Sequence, residues 1–223
     1  PLSSGTNRPE CRSRAVAASR LLQASRPGIL YVIGPRGHAK YMRLFTALDL
    51  PPEIVTRLDQ LIARLKPAAR INWSPPANLH VTTKFIGEWP EERLEELKNA
   101  LASIPSRPPI AVNMHGLGFF PNPKSPRNFW CGVDAPGLAE LAADTDAATT
   151  LLGIASEKRA FSPHLTLARI KDRLDLRPLH HRISEEALEL GRFEAGAFFL
   201  YRSQLKPAGS VYTKLAEFPL THT

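Results

Sequence analysis

Two stretches of alternating apolar and polar residues stand out along the chain. One is Leu79-His80-Val81-Thr82-Thr83-Lys84-Phe85-Ile86, and the other is His164-Leu165-Thr166-Leu167-Ala168-Arg169-Ile170. Each predicts a short, half-buried strand built from β-branched and apolar residues. Successive side chains leave a strand on opposite faces, so Val81, Leu165 and Leu167 point to a buried face. His80 and Thr82 then share the other face of the first strand. His164 and Thr166 share the other face of the second.

The remaining pattern supplies the elements around them. Residues 42–50 predict a strand. Pro51-Pro52-Glu53 opens a helix, because proline and an acid suit a first turn. Ile54, Leu58, Leu61, Ile62 and Leu65 recur at helical spacing until Pro67 stops the run. A short strand is expected over 71–73, and Gly87 is expected to end the first motif strand. A second helix is predicted over 90–101, a strand over 110–114, a loop over 116–123 and a strand over 129–133. Residues 138–152 predict a third helix. Residues 173–189 read as loop, with a short helix near the end. Two strands, 193–201 and 211–218, close the chain around a turn at 206–210. Strands and helices mix without strict β-α-β alternation, which predicts an α+β fold on antiparallel sheet. The motif histidines lie 84 positions apart, each motif following a strand and a helix, which predicts two related lobes.

Composition narrows the class. Apolar residues make up 43% of the chain and charged residues 22%, as in an ordinary globular protein. No run approaches the ~18 apolar residues of a membrane-spanning helix. Cys11 and Cys131 belong to no spaced Cys/His cluster, so no zinc site is expected. Cys131 sits in an apolar run and reads as a reduced core residue. The net charge of +8 is unevenly placed. Residues 1–41 hold seven Lys or Arg and one acid, for +6, whereas residues 42–223 hold 22 and 20, for +2. Residues 1–41 therefore read as a basic extension outside the native domain rather than a targeting segment, and 42–223 as a single domain. The near-neutral balance of 42–223 removes a basic surface as evidence for nucleic acid.

The motifs carry the chemistry instead. An unperturbed imidazole titrates near ~6.5, so one histidine can be neutral while another is protonated at physiological pH. Hydrolysis of a cyclic phosphodiester needs both forms. A neutral imidazole takes a proton from water, and a protonated one gives a proton to the leaving ribose oxygen. The two must flank phosphorus for in-line attack. Two motifs on two lobes supply that arrangement, with the hydroxyls of Thr82 and Thr166 donating to non-bridging oxygens. This chemistry requires no metal.

These residues, with several others, resemble a known family. The others are Arg43-Leu44-Phe45-Thr46-Ala47-Leu48 with Pro51-Pro52, Asn78-Leu79 before His80, Gly116-Leu117-Gly118-Phe119-Phe120-Pro121, Pro163 before His164, Leu200-Tyr201-Arg202-Ser203, and Gly209-Ser210-Val211-Tyr212. Together they resemble the 2H phosphoesterases, named for two His-x-Thr-x motifs. Within these they look like the RNA 2′,3′-cyclic phosphodiesterases, a group also known as 2′-5′ RNA ligase-like. The resemblance implies a bilobal α+β fold, two pseudo-symmetric lobes of antiparallel sheet with outer helices and a central cleft. It implies opening of a terminal RNA 2′,3′-cyclic phosphate to a 2′-phosphate, with 2′-5′ ligation as the reverse. It also implies His80 as proton donor and His164 as proton acceptor; the two motifs alone leave these roles open. A cytoplasmic monomer without cofactor or metal, acting on RNA ends and not on membranes, is the expectation. Ser162 departs from the arginine that many relatives carry just before the Pro-His pair.

Further contacts to substrate are expected from Arg169, Lys84, Phe119, Phe120, Phe161 and Tyr212. Arg169 matches a family arginine that neutralises phosphate. Strict alternation, however, puts it on the face opposite His164, so it needs a strand end or a bulge to reach the site. Lys84 has the parity of His80. Phe119, Phe120 and Phe161 are candidates for stacking on bases, although core packing is the commoner use of phenylalanine. Tyr212 matches the family's C-terminal signature. Two other readings stay open: a binding module that holds RNA ends without turnover, and a phosphodiesterase of small cyclic nucleotides, such as cyclic phosphates of nicotinamide-derived sugars.

Overall fold

A computed structural model of the chain describes residues 40–171, 174–185, 190–207 and 209–221. The extension expected over 1–41 falls almost wholly outside the described residues, as does Cys11.

Among the described residues, nine strands form one sheet. They are β1 (Tyr41–Leu48), β2 (Asn72–Trp73), β3 (Val81–Pro90), β4 (Ile110–Phe120), β5 (Asn128–Asp134), β6 (His164–Arg169), β7 (Arg192–Ala195), β8 (Ala197–Lys206) and β9 (Gly209–Pro219). Four α-helices accompany them among these residues: α1 (Pro52–Leu65), α2 (Leu94–Ala102), α3 (Leu138–Thr150) and α4 (Arg177–Glu185). The strand order is β7-β4-β5-β6-β3-β1-β8-β9, with β2 pairing β6 off this path, and neighbouring strands are antiparallel. This order is close to a palindrome. Each motif strand is innermost in its half, beside the strand that precedes it through a helix: β1-α1-β3 in one half, β5-α3-β6 in the other. The expected α+β class and the two related lobes are present as halves of one sheet.

The sheet separates two apolar populations. On one face Leu44, Leu48, Val81, Ile86, Leu165 and Leu167 join the helices in the main core. Helix α1 enters it through Ile54, Leu58, Leu61, Ile62 and Leu65, the stripe read from the sequence, with Pro52 and Glu53 in its first turn. On the other face a smaller cluster groups Phe45, Ala47 and Tyr201 with Phe199 and Tyr212. No helix among the described residues is long and apolar enough to cross a membrane.

Several boundaries differ from the sequence pattern. Gly87 does not end β3, and the stretch from Gly116 to Phe120 is strand rather than loop. Each glycine has positive φ, +85° and +62°, at an irregularity in the ladder. A glycine lets a strand absorb a bulge there and continue. The segment read as a strand over 193–201 is two strands split at Gly196. One residue thus joins β7, on one edge of the sheet, to β8 in the opposite half, and the N–H of Leu220 donates to the Gly196 carbonyl at 2.8 Å. The sheet must curl strongly for that link to close. Helix α4 lies nearer the middle of 173–189 than its end. Helix α2 begins at Leu94, after a tighter turn over Glu91–Arg93.

Two further bulges matter most. Thr46 pairs with Lys84 and Ala47 with Thr82, so Thr83 is an extra residue in β3. Phe129 pairs with Ala168 and Trp130 with Thr166, so Leu167 is an extra residue in β6. Each bulge follows its His-x-Thr at once and reverses the parity of what comes after. Lys84 is therefore turned to the helix-covered face and away from His80, a correction to the expected substrate contact. Its ammonium pairs with Asp146 of α3 and donates to the Ala155 carbonyl at 2.9 Å. Burial pushes the Asp146 carboxyl up, but donors from Lys84, Ser156 and the Glu157 N–H outweigh it and hold the carboxyl at about 2.

Lys84→Met should leave the site's residues in place and cost about 2 kcal/mol of stability, because it removes one partner of a largely buried pair. The sign with pH follows from the lowered carboxyl. Asp146 binds its proton more readily unfolded than folded. Its contribution is therefore complete above about 4 and is lost as pH falls towards about 2. Denaturant melts of the parent and Lys84→Met across pH 2 to 7 read both effects; the difference between them should shrink with acid.

Candidate active site

Between β3 and β6 the ladder is a single pair, Val81 with Leu165. Both side chains are fully buried on the helix-covered face. Carried one residue to either side, antiparallel pairing sets His80 opposite Thr166 and Thr82 opposite His164. All four side chains then leave the uncovered face at the centre of the sheet, and all four are partly accessible. The hydroxyls of Thr82 and Thr166 are engaged by no protein group among the described residues, in contrast to the buried Thr46–Thr83 pair at 2.7 Å.

The two imidazoles are held alike. Nδ1 of His80 lies 2.8 Å from the carbonyl oxygen of Asn78, and Nδ1 of His164 lies 2.8 Å from that of Ser162. A carbonyl oxygen only accepts, so each Nδ1 carries a hydrogen and each Nε2 is the nitrogen that exchanges a proton. The segment before His80 is tied across to β6: Ser74 donates its N–H to the Leu167 carbonyl at 2.8 Å and its hydroxyl to the Thr166 carbonyl at 2.9 Å. The Asn78 amide donates to the Ser210 carbonyl at 2.7 Å, fixing the same segment to the β8–β9 turn.

The surroundings are aromatic on both sides. His80 packs against Phe45 at 4.8 Å between ring centroids and edge-on to Tyr212 at 5.2 Å. His164 packs edge-on to Phe120 at 5.0 Å, and Phe120 lies 5.0 Å from Trp130. Burial lowers the His80 pKa below the ordinary imidazole value. The Asn78 carbonyl and the Asp49 carboxylate pull it up, while the charges of Arg169 and His164 push it down. Burial likewise pushes the Cys131 thiol up to about 12, against the hydrogen bond with the His115 backbone. Cys131 is a fully buried core thiol and no nucleophile, as its apolar context predicts.

Arg169 reaches this face. The Leu167 bulge leaves Leu167 and Ala168 both fully buried and turns Arg169 outward, close enough for its charge to act on His80. The same bulge geometry in β3 turns Phe85 to the uncovered face, 62% exposed. Phe120 and Tyr212 stand against the histidines. Phe119 does not: it is buried against Phe129 and His180, at 5.0 and 4.7 Å. Phe119 pairs with Phe129 on the helix-covered face, one residue out of phase with Phe120. Phe161 is partly buried and packs on the main core. Asp49, Phe45, Trp130 and Lys214 surround the site without having been singled out in the sequence. The parity of β1, which puts Phe45, Ala47 and Asp49 on one face, is the signal that points to the first two.

Comparison with known proteins places the chain in a family. The model of the LigT-like phosphoesterases matches residues 48–130 and 133–212, one segment for each motif. The chain belongs to the LigT-like phosphoesterase family. A Methanocaldococcus jannaschii protein named RNA 2′,3′-cyclic phosphodiesterase is 35% identical over 178 residues, covering 79% of this chain and all of its own length. A Thermus thermophilus protein of the same name is 35% identical over 188 residues, covering 80% of this chain and 90% of its own. Among solved structures, Escherichia coli LigT complexed with 3′-AMP superposes with a TM-score of 0.67 at 27% identity, over 82% of this chain and all of that one. Residues 42–223 thus contain the whole region that matches the LigT-like family.

Histidine ¹⁵N spectra test the shared geometry. When neutral, both His80 and His164 should show the Nδ1–H tautomer, the minor form of free imidazole in water. An Nε2–H pattern at either would contradict the carbonyl contacts.

Proposed function

We propose that this chain hydrolyses the terminal 2′,3′-cyclic phosphate of RNA to a 2′-phosphomonoester, with His80 and His164 as its acid–base pair. The observation that carries the reading is the paired placement of two His-x-Thr motifs about Val81 and Leu165, in a chain whose relatives bear the name RNA 2′,3′-cyclic phosphodiesterase. Nε2 of His164 takes a proton from water as the water oxygen bonds to phosphorus. The P–O3′ bond breaks, and O3′ takes the proton from Nε2 of His80. One proton has moved from His80 to product and one from water to His164, and exchange with solvent restores both. Thr82, Thr166 and Arg169 stabilise the non-bridging oxygens. Phe120 and Tyr212 form walls for the ribose and base. Both motifs come from one sheet of one chain, so a monomer is the working unit. Run in reverse, the same site joins a cyclic-phosphate end to a 5′ hydroxyl.

Burial keeps His80 low in the ligand-free protein. A phosphodiester carries a negative charge, and its arrival favours the protonated imidazole. One inflection of the kcat/KM profile should therefore lie below the ordinary imidazole value, and the matching inflection in kcat should lie higher.

A single assay tests the reading. A 2′,3′-cyclic-phosphate oligonucleotide should be opened in the presence of EDTA. His80→Ala and His164→Ala should each lower kcat by about a hundred- to ten-thousand-fold. Loss of turnover with EDTA would overturn the two-histidine mechanism. Binding without turnover in the parent would point to an RNA-end binding module. Preference for cyclic mononucleotide over oligonucleotide would point to a small-molecule phosphodiesterase.

A further inference from the structure

The palindromic strand order makes His80 and His164 equivalent in position, yet their cross-strand neighbours differ. One step beyond the pair Leu48–Val81, the antiparallel register sets Asp49 beside His80. The matching residue beside His164 is Gly132. A Cβ there would lie 2.5 Å from the His115 carbonyl oxygen, so that position has no room for an acidic side chain. Asp49 is held firmly. Its Oδ1 accepts from the Tyr201 hydroxyl and its Oδ2 pairs with the Lys214 ammonium. Tyr201 stacks on Phe45 at 5.2 Å, and Lys214 sits 4.0 Å over the Phe199 ring. Asp49, His80, Tyr201, Tyr212 and Lys214 line one cavity of about 300 Å³.

We propose that Asp49 is a positioning residue: clamped by Tyr201 and Lys214 across the strand from His80, its carboxylate supports the proton on His80 against the apolar surroundings, a support that its symmetry mate His164, across from Gly132, lacks. This rests on the cyclic phosphodiesterase reading. Every titratable group facing His80 enters the balance. Asp49, just past the end of β1, favours the proton. Arg169 and His164 of β6 disfavour it, as burial does more strongly. Lys214 of β9 offsets part of the Asp49 charge. Tyr201 of β8 has its pKa raised by burial and by Asp49, so it stays a neutral phenol that donates, and Tyr212 of β9 contributes its ring edge. The segments at Leu50, Val55 and Pro76–Leu79 bring no titratable side chain into the cavity. His164 has no such carboxylate on β5, where Gly132 stands across from it.

The test is NMR titration of the imidazoles in the substrate-free full chain, with His80 assigned by its loss in His80→Ala. Asp49→Asn should lower the His80 midpoint, whereas Lys214→Met should raise it. A general loosening would expose His80 and shift it the same way in both variants, so opposite signs separate tuning from damage even if one variant folds poorly. In parallel, Asp49→Asn should lose about tenfold in kcat/KM at neutral pH and regain part of that at lower pH, where His80 again carries its proton. An Asp49→Asn midpoint that stays or rises overturns the role of Asp49, as does a Lys214→Met midpoint that falls. A parent chain inactive on the cyclic-phosphate oligonucleotide overturns the activity reading, and with it the delivery of a proton by His80. An active parent with unmoved titrations overturns Asp49 alone.

Discussion

Val81 and Leu165 meet in a one-pair ladder, and the site exists because of how those two aliphatic side chains are buried. Each is flanked in sequence by the His and the Thr of its motif. Driving the central residue of both triplets into the core forces the flanking residues onto the other face. Antiparallel pairing then interleaves them, a His directly across from a Thr on either side of the central pair. A slip of one residue in either strand would bury an imidazole and expose an aliphatic chain. The hydrophobic effect thus fixes the register that the polar groups depend on. The shortness of the ladder matters as well, since beyond one pair β3 and β6 no longer pair with each other.

Arg169 and Lys84 show what a sequence reading can and cannot resolve. The motif residues, the apolar stripe of α1 and the α+β class were all legible, because each follows from a period of two or 3.6 counted along the chain itself. The fate of Arg169 and Lys84 was not. Each lies past a bulge, and a bulge is defined by how many residues face a partner strand. Thr83 and Leu167 look like any other β-branched or aliphatic strand residues. Only pairing with β1 and β5 shows them to be supernumerary. The same reason hid the continuation of β3 and β4 through their glycines. At Gly196 the limit is different: the stretch 193–201 reads as one strand, and only the sheet order separates its two parts.

The electrostatics are local rather than global. Residues 42–223 carry little net charge, and the cations at the site are Arg169, brought in by the bulge, and Lys214, paired with Asp49. His80 pays for its aromatic surroundings with a reduced hold on its proton. Two carbonyls, those of Asn78 and Ser162, keep both rings in one tautomer. The near-symmetry of the fold makes the two histidines interchangeable in outline, and their neighbours on β1 and β5 make them distinct.

The one-residue passage at Gly196 gives the molecule a mechanical character. The two halves are joined at the centre by β3 and β6, and again by a chain too short to stretch between β7 and β8. Ser74 adds a third tie, from the segment before His80 onto β6. Halves fastened at several separated points do not swing about a single axis as jaws do. The span between His80 and His164 is then a fixed gauge, set when the sheet folded.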